Sequence, residues 1–223
     1  MSLLIQCICI ICMQVEVQGN CMKWSKFSGK VGDASLISQG FNEYSHYEVI
    51  LLRRLTTPAL RHVTDTLFVL ALVIGLALAA RRTGRTYRTY CLLGDGELQE
   101  GQVWEAAMTA AHFALDTVCA IVDDNGVQLD GPTREIMNVA PLADKFRAFG
   151  WQVLSVDGHS LDALAGAFRQ AAATRGRPTV LLARTVKGKG VSFMEGQPAW
   201  HGKAPNDQEL AAALAELAEG GTL

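Results

Sequence analysis

The sequence lacks a dominant charge. Lys and Arg total 20 against 22 for Asp and Glu, a formal net charge of −2 over 223 residues, which excludes the strongly basic field of a nucleic-acid binder. Charged residues are sparse at 19% and hydrophobic ones plentiful at 49%, a balance that excludes a disordered chain and supplies one substantial core or two small ones. A membrane-spanning run is also missing. The longest apolar stretch, residues 67–80, has fourteen residues against the roughly 18 to 20 that a spanning helix needs, and reads as a buried helix. The opening MSLLIQCICIICM has neither the basic n-region nor the cleavage site of a secretory signal. A cytoplasmic protein with no nucleic-acid and no membrane partner is expected.

Cysteine is present but lacks the spacing of a metal cage. Cys9 and Cys12 form a lone C-x-x-C among isoleucines, with Cys7 and Cys21 nearby, and without a second spaced pair they read as apolar packing. Cys91 and Cys119 lie in strand-like apolar runs, where a reduced thiol acts as a small hydrophobe. Acids are missing from one stretch: Arg53, Arg54, Arg61, Arg81, Arg82, Arg85 and Arg88 share residues 53–88 with Asp65 alone. That stretch reads as a solvated basic face, with phosphate or acidic-partner binding as the alternative.

From about residue 88 the pattern is regular. Strand-like runs at 87–93, 117–122, 151–156 and 179–183 alternate with helix-period segments. In the first helix Val103, Ala107, Ala110 and Ala114 share a face; the next fits 141–149, with Leu142, Phe146 and Phe149 on one side, and a third fits 161–173. Such alternation predicts an α/β fold, a doubly wound parallel sheet with helices on both faces. Ligands of such sheets bind beyond the carboxyl ends of the strands, so the loops at Gly94, Asn125, Asp157 and Lys187 are the candidates. A short amphipathic helix closes the chain, with Asn206 or Asp207 as its cap. Residues 1–60 show no such period and are set apart from a domain at 61–223; an altered N-terminus would account for that.

Gly94-Asp95-Gly96 follows a strand and places one carboxylate between two residues without side chains, so that an anion can approach the backbone closely. Asn125 ends the next strand thirty residues after Asp95, and adjacent parallel strands would bring the two side-chain oxygens to one edge. An acid, an amide oxygen and a nearby carbonyl suit Mg²⁺, with phosphate oxygens completing the shell. Either turn taken alone also fits an ordinary β-turn.

The string GDGELQEGQVWEAAMTAAHFALDTVCAIVDDNGVQLDG resembles the thiamine diphosphate motif of transketolases, and TVKGKGVSFMEGQPAWHGKAPNDQEL resembles the same family to the end of its diphosphate-binding domain. The resemblance spans about residues 70–217. It implies the thiamine-diphosphate-binding fold, thiamine diphosphate and Mg²⁺ as cofactors, and transfer of a two-carbon ketol unit from a ketose phosphate to an aldose phosphate. Carried over residue by residue, it makes Asp95 and Asn125 side-chain ligands of Mg²⁺ and the Val127 carbonyl a third, with Gly94 and Gly96 at the diphosphate. Glu100 matches a glutamate at the family's dimer interface, and His201 a histidine beside the reacting centre. Read as residues alone, Glu100 also fits a first-turn helix acid and His201 a surface loop; His159 reads as a local cap of the next helix, His112 as packed or partly exposed, and Lys187 and Lys189 as a mobile loop or a solvated turn.

A chain of this extent resembles the N-terminal subunit of a split transketolase. The resemblance then implies a C-terminal subunit carrying the pyrimidine-binding domain, self-association through the diphosphate domain, and an α₂β₂ assembly acting on sugar phosphates. The alternatives are a non-catalytic remnant of the fold or another thiamine diphosphate enzyme such as 1-deoxyxylulose-5-phosphate synthase. The family's S-K-G-H, G-H-P and G-x-L-G-Q-G segments have no counterpart: Ser25-Lys26 leads into FSG and the Gly-rich turn is replaced by TDTLFV at 64–69. His46 and His62 stand in no matching motif and take no role.

Overall fold

The computed structural model describes residues 69–219. The expectations for residues 1–60, for Cys7, Cys9, Cys12 and Cys21, and for Arg53, Arg54 and Arg61 lie outside the described residues. Helix α1 (Val69–Arg82) leads to β1 (Thr89–Gly94), a 3₁₀ turn (Gly96–Gln99) and α2 (Gly101–His112). Then come β2 (Val118–Asp124), a small hairpin of β3 (Val127–Gln128) and β4 (Gly131–Pro132), and two short helices, α3 (Thr133–Ile136) and α4 (Leu142–Ala148). Strand β5 (Gln152–Asp157), α5 (Leu161–Ala173), β6 (Thr179–Arg184), a 3₁₀ turn (Pro198–Trp200) and α6 (Asp207–Glu219) complete the order.

Four strands form a parallel sheet in the order β1-β2-β6-β5. The inner strands β2 and β6 are buried along nearly their whole length, as their continuous apolar runs require of strands covered on both faces. One face carries α1, α2 and Phe146 of α4 against Cys91, Leu93, Val118, Ala120 and Val122. The other carries Leu164, Ala167 and Ala171 of α5 against Cys119, Ile121, Leu181 and Ala183. Helices therefore cover both faces, as the alternation predicts. The order also reverses direction: β1 to β2 runs inward from one edge, β5 to β6 inward from the other. The reversal falls between β2 and β6, and a crevice at the carboxyl ends of those two strands is where such a sheet accepts ligands.

Three helices end in the same hydrogen-bond pattern, with the residue after the cap in the left-handed region. After α1 this is Gly84 (φ 69°), with Arg85 N–H donating to the Ala80 carbonyl at 2.8 Å. After α4 it is Gly150 (φ 87°), with Trp151 N–H on Phe146 at 3.0 Å. After α2 it is Ala114 (φ 48°), with Leu115 N–H on Ala110 at 3.0 Å. Ala114 thus stands beyond α2 rather than on its buried face, a correction to the helical register: alanine's helix propensity masks a position that geometry would give to glycine. Rings lock α4 onto α2, with Phe146 at 5.2 Å from Trp104 and 5.5 Å from Trp151, whose indole N–H donates to the Ala107 carbonyl at 2.8 Å.

Two further readings change. Helix α1 is buried on one side only: Leu70, Val73, Ile74, Ala77 and Ala80 face α2 and the sheet, while Leu72 is 48% exposed. Among the described residues no helix is long and apolar enough to cross a membrane. Arg88 leaves the solvated basic face: it is buried, and its guanidinium donates to the carbonyls of Asp116 and Ala171, both at 2.8 Å. Burial also pushes the thiol pKa of Cys91 and Cys119 upward, which keeps both as unreactive apolar residues.

Candidate functional site

Parallel register places the predicted loops at one edge. Gly94 pairs with Asp123, Asp124 with Arg184, and Asp157 with Arg184, so the segments after β1, β2, β5 and β6 leave the sheet together. Asp95 and Asn125 follow the neighbouring strands β1 and β2 and meet through the Asn125-Gly126-Val127 turn. The Gly126 N–H donates to Asp95 Oδ2 at 2.5 Å, and the Val127 N–H donates to Asn125 Oδ1 at 2.9 Å. The Asp95 main-chain N–H donates to the Asp123 carbonyl at 3.2 Å, continuing the β1–β2 ladder by one residue.

Asp95 is only 3% exposed. Burial raises its pKa to about 6, an effect opposed by the main-chain amides of Gly126 and Gly96 and reinforced by the charges of Asp124 and Asp123. Such a carboxylate is short of positive charge. Among the described residues no group of three His, Cys, Asp or Glu side chains could enclose a metal, so a cation at Asp95 would draw on amide, carbonyl and phosphate oxygens. That donor set is hard and oxygen-only, and fits Mg²⁺.

Glycine is required at 96, although not by an anion alone. A Cβ there would stand 2.6 Å from the Cβ of Gln128, so the GDG turn packs directly against β3. The Gln128 side-chain nitrogen is buried without a partner among the described residues. Gly94 ends β1, and its N–H is taken by Glu97 Oε2 at 2.6 Å. Behind Asn125, Asp123 is buried and accepts from Asn125 Nδ2 at 3.1 Å and from the Thr185 hydroxyl, tying β2 to the segment after β6. Asp123, Thr185, Glu97 and Gln128 were not singled out by pattern; only the acid doublet before Asn125-Gly126 signals Asp123.

Glu100 is half-buried at the N-cap of α2, one residue before the first turn, and its carboxylate makes no capping bond. His201 caps the 3₁₀ turn Pro198–Trp200, is exposed, and its Nδ1 stands 3.2 Å from the Lys187 ammonium. His159 does not cap α5: Ser160 does, accepting from the Ala163 N–H at 3.3 Å. Instead His159 Nε2 accepts the Val186 N–H at 2.8 Å and anchors the start of the Lys187 loop. Partial burial and the Lys189 charge hold its pKa below the ordinary value. His112 is exposed at the end of α2, and Asn206 caps α6, accepting from the Glu209 N–H at 2.9 Å.

The profile of the family described as "Transketolase, thiamine diphosphate binding domain" matches residues 76–218, more than half of the chain. The chain is 45% identical over 148 residues to 6-deoxy-6-sulfo-D-fructose transketolase subunit SqwG of Clostridium sp. (strain MSTE9), covering 66% of this chain and 54% of that protein. It is 39% identical over 150 residues to an apulose-4-phosphate transketolase subunit of Phocaeicola vulgatus, covering 67% and 53%. It therefore spans about half the length of these relatives. Among solved structures, transketolase from Campylobacter jejuni superposes with a TM-score of 0.63 at 30% identity, covering 68% of this chain and 24% of that one. Fold, sheet edge and sequence agree, and the chain belongs to the transketolase family, with its thiamine diphosphate binding domain at residues 76–218.

Proposed function

We propose that this chain is the N-terminal, diphosphate-binding subunit of a split transketolase, requiring Mg²⁺ and thiamine diphosphate. The observation that supports it most is the buried, cation-deficient carboxylate of Asp95 joined to the Asn125 turn at the carboxyl ends of β1 and β2, one strand from the reversal of the sheet. In this reading Asp95, Asn125 and the Val127 carbonyl hold Mg²⁺, and Gly94 and Gly96 form the turn that faces the diphosphate. Bound thiamine diphosphate supplies the transient carriage of the two-carbon unit. The residues of this chain position and neutralise. Asp95 and Asn125 would fix the cation between two strand ends, and His201, beside Lys187, would hydrogen-bond a substrate oxygen or shift a proton there. Glu100 stands at the self-association surface.

The reading assigns residues 61–223 to the cofactor domain and sets 1–60 apart. It requires a C-terminal subunit with a pyrimidine-binding domain, an α₂β₂ assembly, ketose and aldose phosphates as substrates, and a cytoplasmic setting in carbohydrate metabolism of the pentose phosphate type. Support for a partner comes from relatives named as transketolase subunits. The test is a ketol-transfer assay on the chain alone and mixed with a C-terminal transketolase subunit. Transfer only in the mixture, lost with Asp95→Ala, is the expected result; no transfer in any mixture from a folded chain that binds its partner would overturn the proposal.

A further inference from the structure

At the opposite end of β1 from Asp95, a cavity of about 490 Å³ opens among the C-terminal ends of α1, α2 and α5. Four arginines line it, Arg81, Arg85, Arg88 and Arg175, against one acidic residue, Asp116. None of the four forms an ion pair among the described residues, whose salt bridges all lie elsewhere. Asp116 is itself occupied, accepting the Gly176 N–H at 2.9 Å.

Neutralising helix ends is an insufficient reason for this charge. Each helix C-terminus carries roughly −0.5 of an elementary charge, so three ends and one carboxylate leave the four guanidiniums in excess by about 1.5 charges. Three of the arginines are also held by main-chain carbonyls. Arg81 donates to the Phe113 carbonyl at 2.6 Å, Arg175 to Ala172 at 2.6 Å, and Arg88 to Asp116 and Ala171 at 2.8 Å. Arg88 is 6% exposed, and its Nε is buried without a partner among the described residues; a buried cation facing main-chain carbonyls and no full counter-charge costs stability that a bound anion restores. The guanidinium of Arg85 makes no hydrogen bond among the described residues. Left-handed Ala114 lines the same cavity.

We propose that this cavity is an anion site for a small, multiply charged phosphate compound. Its volume lies within the range of small-molecule sites, and guanidinium forks match phosphate oxygens in pairs. The charge lies within a concavity, which favours a compact ligand over a flat macromolecular surface. A phosphate chain could be free or carried by a nucleotide, and both offer the same chemistry to the arginines.

The full chain is titrated calorimetrically with inorganic tripolyphosphate and, separately, with adenosine triphosphate, both with EDTA to silence the Asp95 edge. Saturable binding to at least one is expected, weakened tenfold or more in R85E/R175E and in R85A/R175A, and retained in Asp95→Ala. Equal binding of the two identifies the bare phosphate chain, tighter binding of the nucleotide a nucleotide site. Circular dichroism confirms that the variants fold; both alter exposed side chains. No binding of either compound, binding unchanged by both double substitutions, or binding lost in Asp95→Ala would overturn the proposal.

Discussion

Replacing Asp95 by Asn removes the titration of a buried carboxylate while keeping an oxygen that can accept the Gly126 N–H. The pKa of Asp95 rises from 3.8 to about 6 in the cofactor-free fold, chiefly through burial. A carboxyl whose folded pKa lies above its unfolded value favours the fold when protonated. That contribution is complete below the unfolded pKa and is lost as pH rises through the folded one. At 1.36 kcal/mol per pKa unit, ionised Asp95 costs the metal-free fold about 3 kcal/mol at high pH. The Asp95→Asn variant carries no such cost, so the stability gap between variant and wild type should widen by about 2 kcal/mol between pH 4.5 and pH 8. Urea unfolding of both proteins in EDTA measures it. Mg²⁺ with thiamine diphosphate should then reverse the order, stabilising the wild type through the ionised carboxylate and leaving the variant nearly unchanged. A gap that stays constant or narrows with rising pH would refute the reasoning.

Ala114→Gly should stabilise the fold. A left-handed non-glycine residue costs about 1–2 kcal/mol, and glycine's greater freedom in the unfolded chain returns about 0.4–1 of that. The net gain is about 0.5–1 kcal/mol, visible as a rise in Tm, and an unchanged or lower Tm would contradict the strained cap. Gly96→Ala brings a Cβ to 2.6 Å from the Gln128 Cβ and should cost about 1–3 kcal/mol while weakening cofactor binding; calorimetry and urea unfolding read both. Phe146→Ala empties the space between Trp104 and Trp151 and should cost about 3–5 kcal/mol in urea unfolding, with a loss below 1 kcal/mol showing that α4 is not anchored there.

Much of this is legible in sequence because the physics is local. The apolar run at 117–122 betrays β2, since an inner parallel strand is buried on both faces. The bounds of α5, Leu161–Ala173, coincide with the periodic segment, although its cap is Ser160 and not the expected His159. The GDG and Asp-Asn-Gly turns announce themselves by residues that tolerate tight backbone, and alternation of elements brings them to one edge. What escapes detection is non-local. Arg88 looks like one more surface arginine because its partners are carbonyls 28 and 83 residues away. The exposed side of α1 reads as buried because it carries Ala, Gly and Leu. Asp123, Thr185 and Gln128 acquire their places only from strand register, and the pairing of Lys187 with His201 from the return of a loop. Ala114 reads as helix because the sequence gives no hint that the chain must turn left-handed there.

The central claim is that the Asp95–Asn125 edge holds thiamine diphosphate through Mg²⁺. Calorimetric titration of thiamine diphosphate into the purified chain, with Mg²⁺ and with EDTA, tests it directly, using Asp95→Ala as the control. Binding in the micromolar range that requires Mg²⁺ and disappears in the variant is the expected result. Absence of heat from a folded wild-type chain, or binding indifferent to Mg²⁺ and to Asp95, would contradict it.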